Sequence, residues 1–79
     1  MNKLIDISNR AVADYGFRQA VIYGASDIAS KWSLSDEEAA LLSGELLAEL
    51  NALPIPVQPA DILAQQERVA GLIKDQLSS

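Results

Sequence analysis

Cysteine and histidine are both absent from this chain. The first absence excludes disulfides. Together they remove the commonest general base, the thiolate nucleophile and the usual zinc ligands. No Gly-rich phosphate loop and no G-x-S-x-G elbow is present, and no run of carboxylates has metal-ligand spacing. The expectation is a protein that is not an enzyme and uses no metal and no cofactor. Basic residues are scarce, six Lys and Arg against eleven Asp and Glu, for a net charge of −5. Phosphate binding needs clustered Lys and Arg, so nucleic acid is not an expected partner, and an anionic membrane surface is disfavoured for the same reason. Long apolar runs are missing too. The opening MNKLIDISNR holds none that could serve as a signal peptide or a membrane span, which leaves a cytoplasmic location as the expectation.

What is present is short and helical in pattern. A chain of 79 residues forms one domain. At this size folding buries only about 60% of the surface of the unfolded chain, while ordering costs roughly 1.5 kcal/mol per residue. Without disulfides or metals, a protein partner, self-association or a well-packed helical bundle must close that gap.

No stretch alternates apolar and polar residues as a half-buried strand would, whereas helical spacing recurs throughout. A first helix is predicted from about Lys3 to Ala13, with Leu4, Ala11 and Tyr15 in one row and Ile5 and Val12 beside them. Asp14 is placed to cap a second helix, or else one bent helix runs through the region. Phe17, Val21, Gly24, Ile28 and Trp32 keep one helical phase. They do so across a break or bend near Gly24, where Ser26 or Asp27 is a candidate cap. Ser35-Asp36-Glu37-Glu38 has the S-x-x-E form of a capping box, with acidic residues where the helix dipole favours them. The helix it opens carries Ala39, Leu42, Leu46, Leu50 and Leu53 on one stripe, with Gly44 as a possible interruption. Pro54, Pro56 and Pro59 then impose an extended connector. Pro59 is placed to start a last helix with Ile62, Gln66, Val69, Ile73 and Leu77 in a row. The expected fold is all-α, a small bundle of four to five short helices. Residues 1–53 form the helical body, 54–59 the connector and 60–79 the C-terminal amphipathic helix, within one domain.

Candidate binding residues lie around the third element. Trp32, the one tryptophan, is either a core anchor at the corner between two helices or an interface hot spot. Residues 35–53 hold five acidic residues and no basic one, so the remaining six acidic residues balance the six basic ones. Glu38, Glu45 and Glu49 are spaced seven and four apart and form one row beside the leucines. That row is either a solvated face or a docking strip for a basic partner. Leu41 and Leu47 fall off the core stripe on opposite sides, as they would if more than one face of this helix were covered. Tyr23 points away from the stripe of Phe17. Ser26 lacks the Asp before and the Leu after it that a phosphopantetheine-bearing serine of a carrier protein has, and reads better as a cap.

The segment from Phe17 to Leu50, FRQAVIYGASDIASKWSLSDEEAALLSGELLAEL, resembles the small helical alpha-subunit domain of protocatechuate-cleaving extradiol dioxygenases. The resemblance is carried by Phe17-Arg18, the corner Ser33-Leu34-Ser35, the acidic turn Asp36 to Glu38, Leu42-Ser43-Gly44 and Leu50. Ser33 stands where that pattern has Gly, and Ala25-Ser26 where it has Asp-Pro. Similar domains also occur as leader regions of some ribosomally made, modified peptides, where they dock onto the modifying enzyme. In the dioxygenases the metal ligands belong to the other subunit, so the resemblance implies no catalytic residue here. It implies a helical accessory module that binds an enzyme. The expected function is therefore recognition of a protein partner, or self-association. The alternative is a precursor peptide whose helical leader docks on its modifying enzyme, and a carrier protein ranks behind both.

Overall fold

In a computed structural model, residues 3–55 and 57–78 are described. Pro56, the middle proline of the expected connector, lies outside them. Helix α1 spans Lys3–Ala13, α2 Tyr15–Tyr23 and α3 Ala25–Lys31. A rod follows, made of α4 (Asp36–Leu41), a π-helical turn (Leu42–Leu46) and α5 (Leu47–Ala52). A 3-10 turn at Pro59–Asp61 leads into α6 (Ile62–Ser78). No strand occurs among the described residues. The fold is the expected small all-α bundle with a proline-containing connector before its last helix.

Helix α1 buries Leu4, Ile7, Ser8, Ala11 and Val12, whose steps of three and one trace a single apolar face. Ile7 lies at the centre of this face, fully buried. Ser8 is tolerated there because its hydroxyl donates to the Ile5 carbonyl at 2.9 Å. Tyr15 does not continue the row. The backbone turns extended at Asp14 (φ −124°, ψ 107°), and the Asp14 carboxylate accepts the Phe17 N–H at 3.1 Å, so a new helix starts on a new axis.

Helices α2 and α3 share a single joint, Gly24. Its N–H donates to the Ala20 carbonyl at 2.9 Å and its carbonyl accepts from Ile28 at 3.0 Å, so hydrogen bonding runs on while the axis bends. A Cβ on Gly24 would sit 3.0 Å from the Ala20 oxygen, which is why this joint takes glycine. Ser26 and Asp27 do not cap. They lie exposed inside the first turn of α3, and the N-cap position is Gly24 itself.

A Schellman closure ends α3. The Ser33 N–H donates to Ser30 at 3.2 Å and the Leu34 N–H to Ala29 at 3.0 Å. This geometry puts Ser33 in the left-handed region, φ 54°, a place usually given to glycine. Ser35 then opens the rod with both halves of the capping box: its hydroxyl accepts the Glu38 N–H at 3.2 Å, and Glu38 Oε1 accepts the Ser35 N–H at 2.9 Å.

The rod is one continuous element, because Leu41, Leu42, Leu46 and Leu47 all keep right-handed helical angles. Leu42, Leu46 and Leu50 are each four residues apart. In a regular α-helix every such step overshoots a full turn by about 40°, enough to walk a leucine row out of the core. The wider π-turn takes up this drift, and all three are fully buried. Beyond Leu53, Val57 returns the connector to the core. Helix α6 packs chiefly along α1 and touches α4 near its end. Val69 and Ile73 are fully buried, and Gln66 Nε2 donates to the Asn9 carbonyl at 2.9 Å. Residues of α1, the rod, the connector and α6 thus share one hydrophobic core.

Candidate interaction surface

The π-turn divides the acidic row. Glu38 is half-buried and tied to its capping box. Glu49 is half-buried and forms an ion pair with Arg68 of α6, whose Nε also donates to Gln65 Oε1 at 2.9 Å. Glu45, carried on the π-turn, is exposed, and no ion pair involving it occurs among the described residues. A phase computed for an unbroken α-helix had placed the three in line. The structure ties Glu38 to Ser35 and Glu49 to Arg68, and gives Glu45 no such partner among the described residues.

Glu45 instead borders a groove of about 430 Å³ between the rod and the end of α6, lined by Glu37, Ala40, Leu41, Glu45, Gln76 and Leu77. Leu41 and Leu77 are half-buried, packed against the core from below. Glu37 is exposed on the outer side of the first turn of α4, away from the capping bonds. The groove thus has an apolar floor and, on its wall, two carboxylates with no ion pair among the described residues. Of the residues singled out from the sequence, Leu41 and Glu45 meet here. Trp32 is half-buried at the C-cap of α3 and packs against the core, and Leu47 is half-buried elsewhere on the rod.

A second cleft was not anticipated. It measures about 140 Å³ and is lined by Tyr15, Arg18, Ile22, Tyr23, Asn51 and Ile55, among others. Tyr23 is 84% exposed and Ile55 66%. At the base lies Arg18, only 2% exposed. Its Nε donates to the Ala11 carbonyl at 3.1 Å, Nη2 to Val12 at 3.3 Å and Nη1 to Pro54 at 2.9 Å. The first two carbonyls belong to the end of α1, where intrahelical donors run out. Arg18 therefore closes that helix from outside, where the dipole favours a cation, and fastens the connector to it. The Tyr15 ring lies over the guanidinium at 5.3 Å. The available signal was an arginine three residues before Val21, on the buried side of α2. The residue type points the other way, since a charged side chain is seldom fully buried.

Among the described residues no group of three His, Cys, Asp or Glu is placed to hold a metal ion, and no helix is long and apolar enough to cross a membrane. Comparison with protein-family models, with characterised proteins and with solved structures finds no match for this chain.

Proposed function

We propose that this chain is a non-catalytic recognition module that binds a partner protein through the groove between the rod and α6. The observation that carries the reading is the pairing of Leu41, Ala40 and Leu77 on the groove floor with the uncompensated carboxylates of Glu37 and Glu45. Apolar area supplies affinity when covered, and a rim of one sign steers a partner of the opposite sign. The partner is accordingly a protein presenting an apolar ridge flanked by Lys or Arg. Placement of Glu45 on a π-turn supports the reading, since such turns occur frequently at functional sites. The resemblance to dioxygenase accessory domains points the same way, and a cytoplasmic setting belongs to the same proposal. A precursor peptide needs a C-terminal segment open to modification. Burial of Val69 and Ile73 in α6 favours the accessory role over that alternative.

The test is a pair of charge reversals compared in native co-purification. Glu37→Lys with Glu45→Lys should release the partner. Asp61→Lys with Glu67→Lys changes net charge equally, on exposed positions in the 3-10 turn and the first half of α6, away from the groove residues Gln76 and Leu77, and should retain it. Equal retention by both variants would remove the groove from the account.

A further inference from the structure

We infer that the Arg18 cleft receives the C-terminal carboxylate of a polypeptide whose last residue is apolar. This surface shares no lining residue with the groove of the rod and α6, and the inference stands apart from the function proposed there. A guanidinium has five N–H donors in a fixed fork. Three of those of Arg18 are committed to the carbonyls of Ala11, Val12 and Pro54, leaving two. The charge is buried, yet the hydrogen-bond partners of Arg18 are neutral carbonyls, and the salt bridge among the described residues joins other side chains. The end of α1 offers only the partial negative charge of a helix terminus. A full anion at the cleft would complete the electrostatics that these dipoles begin.

The walls define the rest of the ligand. Tyr23 and Ile55 hold large apolar surfaces out to solvent, with the half-buried Ile22 and the Tyr15 ring also lining the cleft. Of the large hydrophobic residues left exposed on the described surface, three of four (Tyr15, Tyr23 and Ile55, not Leu63) line this one cleft. A space of about 140 Å³ accommodates a single side chain. A terminal residue brings its carboxylate and its side chain on the same α-carbon, so one small cleft takes both. An acidic residue within a chain uses its side chain for the charge and would need a second cavity for an apolar neighbour. The exposed Asn51 amide at the edge is free to bond the last peptide group.

The experiment follows the Arg18 Nε–H and backbone amide resonances during titration with three probes. These are acetyl-Gly-Gly-Leu with a free carboxylate, the same peptide as its C-terminal amide, and acetyl-Gly-Asp-Leu-Gly amide. The free acid should bind in the millimolar range or tighter and shift Arg18, Tyr23 and Asn51. The two amides should bind at least about tenfold more weakly, because charge-assisted hydrogen bonds to the fork are lost or misplaced. Tyr23→Ala, at an exposed position where the fold is not at stake, should weaken the free acid severalfold without changing the melting temperature. Arg18→Lys should weaken it too, since an ammonium cannot reproduce the fork. If Arg18→Lys does not fold, Tyr23→Ala decides. Equal binding of acid and amide, an internal Asp that binds as well as the terminus, shifts confined to other residues, or no shift at millimolar peptide would each overturn the inference.

Discussion

Replacing Arg18 with methionine opposes two effects whose balance the structure sets. Methionine follows much the same path as the arginine stem, so packing is nearly conserved. Removing the guanidinium also removes the cost of keeping an ion out of water, which by itself would stabilise the fold. Against this stand three carbonyls. Those of Ala11 and Val12 are met by Arg18 through buried hydrogen bonds, whereas the Pro54 contact is only partly buried and its carbonyl can turn to water. An orphaned buried acceptor costs about 1–3 kcal/mol. Two such losses outweigh the relief of desolvation here, because the terminus of α1 already offsets much of that cost. A net loss of about 2 kcal/mol follows, against a total stability of roughly 4–12 kcal/mol for a chain of this size. In a domain of this length it lowers the melting temperature by about 12 °C, as read by thermal denaturation followed with far-UV circular dichroism. A variant melting within a few degrees of the parent, or above it, would refute the view that Arg18 acts as the cap of α1.

Ser33→Gly relieves the one left-handed non-glycine residue described and should raise stability by roughly 0.5–1 kcal/mol in chemical denaturation. Ile73→Ala removes a fully buried contact of α6 and should cost about 2–4 kcal/mol; a cost below 1 kcal/mol would mean that α6 is not part of the core. Glu49→Gln breaks the ion pair with Arg68, whose side chains are 32% and 48% exposed, and the loss should stay under about 1 kcal/mol and shrink with added salt.

Local chemistry was legible in the sequence where a side chain acts on its own neighbourhood. Asp14 and Ser35 cap as their positions foretold, Tyr23 projects away from the core, and the α6 row of Val69 and Ile73 is buried. What stayed hidden depends on distance or on a change of helical pitch. Phase arithmetic assumes a constant period, so it could not foresee that the turn from Leu42 to Leu46 widens and redirects Glu45 relative to Glu38. The Glu49 partner lies 19 positions away on another helix. Burial of Arg18 requires the end of α1 and Pro54, 36 positions on, to meet at one guanidinium. Near Gly24, polar residues in GASD suggested a side-chain cap, but the close approach of the Ala20 carbonyl favours the residue without a Cβ.

The central claim is that an acidic-walled groove recognises a basic partner, and the association rate tests it most directly. With the co-purified partner immobilised, the rate should fall steeply as salt rises for the parent chain, because exposed charges steer encounter within a screening length of about 8–10 Å. For the chain carrying Glu37→Lys and Glu45→Lys, association should be slow at low salt and nearly independent of salt, with the helical signal intact. An association rate and salt dependence equal to the parent's would contradict the claim and leave Glu37 and Glu45 as a solvated face.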